Sequence, residues 1–130
     1  MADDNRKKTI LIVEDSPTQA AQTRALLVAN GLNVQIAADG IEGLEKAVEV
    51  HPELIILDLE MPRMNGVEMA NALKENPVTD RIPIIFFTRH PVPDALIKGS
   101  EERVLDFIPK DAFAKVVMIE TLKQMGILHS

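Results

Sequence analysis

The chain has 130 residues, a net charge of −6 and no cysteine, which suits one compact domain and excludes a disulfide scaffold, a thiolate metal site or a thiolate nucleophile. The acidic balance argues against the basic patch of a nucleic-acid-binding surface, and 3% aromatics with no Trp or Tyr argue against a base-stacking platform. No apolar run approaches the ~18 residues of a membrane span and none follows MADDNRKK as a signal-peptide core would, so the expected location is the cytoplasm.

Residues 1–8 read as a loose polar tail and 9–128 as a single domain, with Gly126 to Ser130 reading as a natural end. Ile10 to Val13 is a short, wholly apolar run, as expected of a strand covered on both faces. Ser16-Pro17 offers a helix N-cap with Pro at the first helical position. Ala21, Ala25 and Val28 then fall at helical spacing before the stop at Gly31. Leu32, Val34 and Ile36 alternate with polar neighbours, which predicts an outer strand. Asp39 can cap a second helix with Ile41, Leu44 and Val48 on one face, ended by His51-Pro52. Leu54 to Leu57 is a third strand, and Gly66 opens a third helix that turns Val67, Ala70 and Leu73 inward. IPIIFFT, 82–88, is a fourth strand with Pro83 at its start. The segment from Arg89 to Arg103, with two prolines and a glycine, predicts at most a short helix. VLDFIP is a fifth strand, and a last helix capped by Asp111 closes at Gly126.

Strand and helix alternate five times, and the strands are mostly unbroken apolar runs. That pattern predicts an α/β fold, a doubly wound five-stranded parallel sheet with helices on both faces. Ligands of such sheets bind at the carboxyl ends of the strands, where strand order reverses. Glu14 and Asp15 end the first strand, Asp58 the third, Thr88 the fourth and Lys110 the fifth. With strand order 2-1-3-4-5, the first and third strands are neighbours, and three carboxylates meet. Two like charges ~4 Å apart repel by ~4 kcal/mol at an effective dielectric near 20, so protons or a cation must intervene. Hard oxygen ligands suit Mg²⁺, which also neutralises an incoming phosphoryl group. Asp58 would be a carboxylate nucleophile toward phosphorus, with Lys110 and the Thr88 hydroxyl meeting the phosphoryl oxygens.

With LIVEDS, LIILDLEMPRMNG, IIFFT and DFIPK in this order on successive strand ends, the chain resembles the receiver domains of two-component response regulators. In size it resembles their stand-alone, chemotaxis-type members. The resemblance covers roughly residues 8–128 and implies the flavodoxin-like receiver fold. It implies that Asp58 accepts a phosphoryl group from a phosphohistidine on a partner histidine kinase or phosphotransfer protein. It implies that Asp15, Asp58 and the main-chain carbonyl of Glu60 ligate Mg²⁺, with Glu14 reaching it through water. Thr88 and Phe107 are then the switch pair, Lys110 contacts the phosphoryl group, and the face formed by segment 89–103, the fifth strand and the last helix selects a downstream protein. Pro62 and Gly66 would stiffen the loop whose carbonyl holds the metal.

Each residue also has a plainer reading. Asp58 could end a strand, Glu14-Asp15 could be a capping cluster, Lys110 a structural ion pair and Phe107 simple core; together they favour the site. His51, His90 and His129 read as surface residues and not as ligands. Val116, Val117, Met118, Ile119, Leu122 and Met125 exceed one inward stripe, which suggests a generous core face or a surface for a partner or a homodimer. Three departures from the family pattern stand out. Arg89 replaces a small residue after Thr88 and should alter dephosphorylation. Pro109 precedes Lys110 and Asp111 follows it, so the Lys110–Asp111 bond should be trans. Arg103-Val104 replaces a small pair before the fifth strand. The alternative function is a phosphate-independent interaction domain, which normally loses the acceptor or the lysine. A hydrolase reading on Asp58 and Glu60 lacks the expected position and cap insertion, so the chain is expected not to be an enzyme.

Overall fold

A computed structural model describes residues 7–89 and 104–129. Its elements are β1 (Thr9–Val13), α1 (Pro17–Ala29), β2 (Asn33–Ala37), α2 (Gly40–Val50), β3 (Leu54–Leu57), α3 (Gly66–Glu75), β4 (Ile84–Thr88), β5 (Val104–Pro109) and α4 (Ala114–Gln124). The five strands form one parallel sheet in the order β2-β1-β3-β4-β5. The prediction for segment 89–103 falls, beyond Arg89, outside the described residues.

Side chains alternate across a strand, so each apolar run feeds two cores. Leu11, Val13, Ile55, Leu57, Ile84 and Phe86 point to one face and meet Ala47 of α2 and Met69, Ala70 and Leu73 of α3. Ile10, Ile12, Leu54, Ile56, Ile85 and Ile108 point to the other and meet Leu27 of α1 and Met118 and Leu122 of α4. This is why β3, and β1 beyond its first residue Thr9, carry no polar residue: both of their faces are covered.

The helix caps follow local chemistry. Ser16 Oγ accepts from Gln19 N–H at 3.3 Å, and Asp39 Oδ1 accepts from Glu42 N–H at 2.9 Å. Asn65 and Glu68 form a reciprocal capping box at the start of α3, which the reading from Gly66 alone overlooked. His51 ends α2 in the left-handed region, at φ 52°. His51 and His129 are exposed, and His90 lies outside the described residues.

Three expectations need correction. In α1 the buried stripe is Ala20, Thr23 and Leu27, while Ala21, Ala25 and Val28 face solvent. Two stripes at helical spacing compete there, and the one carrying Leu27 has more apolar surface to bury. In α2 the buried residues are Gly40, Gly43 and Ala47; Ile41 and Val48 are exposed and Leu44 is half-buried. The small side lets α2 approach the sheet closely. α4 starts at Ala114 with no side-chain cap, because Asp111 Oδ1 accepts instead from Phe113 N–H at 2.9 Å in the preceding turn. The surplus apolar residues of α4 divide: Met118 and Leu122 are buried, whereas Val116 and Val117 are exposed beside Phe113. Every described peptide bond is trans, Lys110–Asp111 included.

Candidate functional site

The sheet ladder runs one step past the strand ends and fixes the residues there. Glu14 N–H donates to Ala37 C=O at 3.0 Å, Asp58 N–H to Val13 C=O at 3.1 Å, and Lys110 N–H to Thr88 C=O at 3.0 Å. The backbone of each is therefore set by pairing, although none counts as strand. Carboxylate oxygens of Glu14, Asp15 and Asp58 come within 4.8 Å of one another.

Lys110 crosses from β5 to this cluster. Its Nζ donates to Glu14 Oε1 at 2.5 Å, to Gln19 Oε1 at 2.6 Å and to Asp58 Oδ2 at 3.2 Å. An ammonium has three N–H donors, so this set saturates it. The ammonium also lies 5.4 Å from the centre of the Phe87 ring. Gln19 is a partner that the sequence disguised. Ser16-Pro17-Thr18-Gln19 reads as a capping box, but only the Ser16 half forms. The Gln19 side chain turns to Lys110 instead, and Ser16 N–H donates to Glu14 Oε2 at 3.2 Å.

Crowding leaves an electrostatic mark. Burial pushes the Glu14 carboxyl above its usual range, and the Asp58 charge adds to the push; the bonds from Lys110 pull it down without cancelling the rise. Two carboxylates at 4.8 Å repel by roughly 3–4 kcal/mol at an effective dielectric near 20. One lysine among three acids leaves negative charge to spare. Hard oxygen donors with that surplus fit a divalent ion such as Mg²⁺.

Glu60 and Arg89 join these residues around an open pocket of about 220 Å³. A second groove of about 230 Å³, between α1 and α4, shares Gln19, Arg89 and Lys110 with it. Thr88 is buried at the end of β4 and does not line the pocket. Phe107 is half-buried and stacks on Phe86, with centroids 5.5 Å apart and ring planes 6° from parallel.

The loop from Asp58 to Gly66 is held at both ends. Gly66 N–H donates to Leu59 C=O at 2.8 Å. A Cβ on Gly66 would lie 2.3 Å from the Asp58 carbonyl oxygen and 2.9 Å from Leu59 Cα, so no larger residue fits without displacement. Midway, Arg63 adopts φ 67° and donates from Nε, at 3.0 Å, and from Nη2 to Asp39 Oδ2.

The model of the response regulator receiver domain matches residues 10–123. The polar-differentiation response regulator DivK of Brucella ovis is 34% identical over 97 residues, 75% of each chain. Hybrid signal transduction histidine kinase D of Dictyostelium discoideum is 34% identical over 125 residues, 92% of this chain, which spans only 8% of that kinase. Among solved structures, chemotaxis protein CheY4 of Vibrio cholerae superimposes with a TM-score of 0.81 at 28% identity, covering 92% of this chain and 98% of that one. The receiver domain of sensor histidine kinase PA1611 from Pseudomonas aeruginosa, solved with magnesium in its active-site cleft, matches in fold with a TM-score of 0.80 at 24% identity, covering 92% and 97%.

Proposed function

Because the chain belongs to the response regulator receiver domains of two-component signalling, we propose that it is a phosphorylation-controlled switch whose acceptor is Asp58. The donor is a phosphohistidine on a histidine kinase or a phosphotransfer protein. The observation that carries this reading is the closure of Lys110 onto Asp58 inside the Glu14–Asp15–Asp58 cluster.

An Asp58 carboxylate oxygen attacks phosphorus, the P–N bond of the donor breaks, and its electron pair returns to the imidazole. Glu14, Asp15, Asp58 and the main-chain carbonyl of Glu60 would hold Mg²⁺, which when bound neutralises phosphoryl oxygen charge. Lys110 shifts one N–H from Asp58 to a phosphoryl oxygen while keeping Glu14 and Gln19. The Thr88 hydroxyl turns toward the new charge, and Phe107 moves into the space behind it. Two packings of one core then exchange populations, biased by a local charge.

The output is a docking event and not turnover of an outside substrate. Its surface lies on β5 and α4, where Phe113, Val116 and Val117 stand exposed for a downstream protein or a second copy. The working compartment is the cytoplasm; no described helix is long and apolar enough to cross a membrane. Incubation with Mg²⁺ and acetyl phosphate followed by intact mass should give one phosphoryl adduct, absent in Asp58→Asn. No adduct, or the same adduct in both, would leave a phosphate-independent interaction domain as the better account.

A further inference from the structure

We propose that Arg63 is a positioning residue for the metal site, holding the loop that carries Glu60 by clasping Asp39 at the start of α2. The inference rests on the proposed Mg²⁺ site and adds two residues that lie outside it. Arg63 is three residues beyond Glu60 and 24 residues beyond Asp39.

Four observations converge on the clasp. Arg63 occupies the left-handed region at φ 67°, which a non-glycine residue adopts only when something holds it there. Its Nε and Nη2 both donate to one oxygen, Oδ2, of Asp39. Asp39 is itself fixed: it is buried, and its other oxygen caps α2 through Glu42 N–H. Next to the clasp, a Cβ on Gly40 would lie 2.9 Å from Met64 Cβ and from Met64 O, so the loop rests directly on the α2 N-terminus. The loop is thus tied to Asp58 by Gly66 and to α2 by Arg63. A main-chain carbonyl can be a reliable ligand only if its backbone is immobile. The charge of Arg63 by itself would lower the affinity of a neighbouring cation site, so support for the metal has to come through the contact with Asp39.

That difference in sign gives the test. Removing Arg63 should strengthen Mg²⁺ binding if only its charge mattered. If the clasp matters, removal should weaken binding by about tenfold, as loss of outer-shell support does elsewhere. Calorimetric Mg²⁺ titration of the full chain, without any phosphoryl donor, reads this directly. Arg63→Ala and Arg63→Gly should both bind about tenfold more weakly than wild type. The glycine variant relieves the φ of 67°, so it separates the ion pair from backbone strain. Asp39→Asn keeps a capping side chain and removes the charge. It should weaken binding alike, and combining it with Arg63→Ala should add little, because both break the same contact. Acetyl phosphate kinetics at saturating Mg²⁺ should return to near the wild-type rate in Arg63→Ala. Equal or tighter Mg²⁺ binding in Arg63→Ala, wild-type binding in Arg63→Gly, or full additivity in the double variant would overturn the proposal while leaving the metal site standing. Wild type failing to bind Mg²⁺ would overturn both.

Discussion

Gly66→Ala sets two principles against each other. Gly66 opens α3, and helix propensity alone favours alanine there by up to about 1 kcal/mol. The new Cβ, however, would sit 2.3 Å from the Asp58 carbonyl oxygen, about 1 Å inside ordinary contact at 3.4 Å. Either the Asp58–Leu59 backbone or the start of α3 must move by most of that distance. Such overpacking costs about 1–3 kcal/mol, and losing the Gly66–Leu59 hydrogen bond adds about 1 kcal/mol. The contact therefore wins, for a net loss of about 1–3 kcal/mol once the propensity gain is subtracted. An unfolding entropy near 2.1 cal/mol/K per residue over 130 residues converts this into a Tm about 4–11 °C lower. Displacing Asp58 by ~1 Å should also slow phosphorylation by about 10²-fold. Thermal melts by circular dichroism and acetyl phosphate time courses by intact mass measure the two effects. A variant that melts within 2 °C of wild type and phosphorylates at the same rate would refute the reasoning.

Lys110→Met leaves Glu14 and Asp58 facing each other uncompensated, which should cost about 3 kcal/mol in EDTA and be largely restored by Mg²⁺; equal melting of variant and wild type in EDTA would contradict this. The raised Glu14 carboxyl makes metal-free wild type lose stability as pH rises from its unfolded value of 4.5 through the higher folded value, a fall that Glu14→Gln should lack in a pH series of melts. Asp39 is shifted the other way by the Glu42 N–H and Arg63, so its contribution is present above 3.8 and is lost as pH falls through the lower folded value; the Tm gap between wild type and Asp39→Asn should close below pH 3.8. Arg89→Ala takes a cation from the pocket lining and should shorten the acyl phosphate lifetime severalfold by intact-mass decay; an unchanged or longer lifetime would refute shielding of the phosphoryl group by Arg89.

The strands were legible because burial on both faces demands an unbroken apolar run, and Ile10 to Val13 or Leu54 to Leu57 admits little else. Strand ends then put Glu14, Asp58 and Lys110 together by topology alone. Helix faces were less legible where small residues decide. Alanines surround α1, so spacing alone chose the wrong stripe, and α2 packs through glycines that carry no hydrophobic signal. Gln19 was hidden because its capping-box spacing has a complete local explanation, and only the arrival of Lys110 from 91 residues away supplies a better one. The Arg63–Asp39 clasp left no trace in the sequence either, since neither residue departs from what a loop and a helix cap ordinarily contain.

The most direct measurement is ³¹P NMR of the protein with phosphoramidate, a small donor whose reactive P–N bond stands in for phosphohistidine. With Mg²⁺ present, wild type should develop a protein-bound acyl phosphate resonance that decays when the donor is removed, while Asp58→Asn and wild type in EDTA should show none. A resonance of equal intensity in Asp58→Asn, or none in Mg²⁺-loaded wild type, would mean that this cluster of acids and lysine does not receive phosphate.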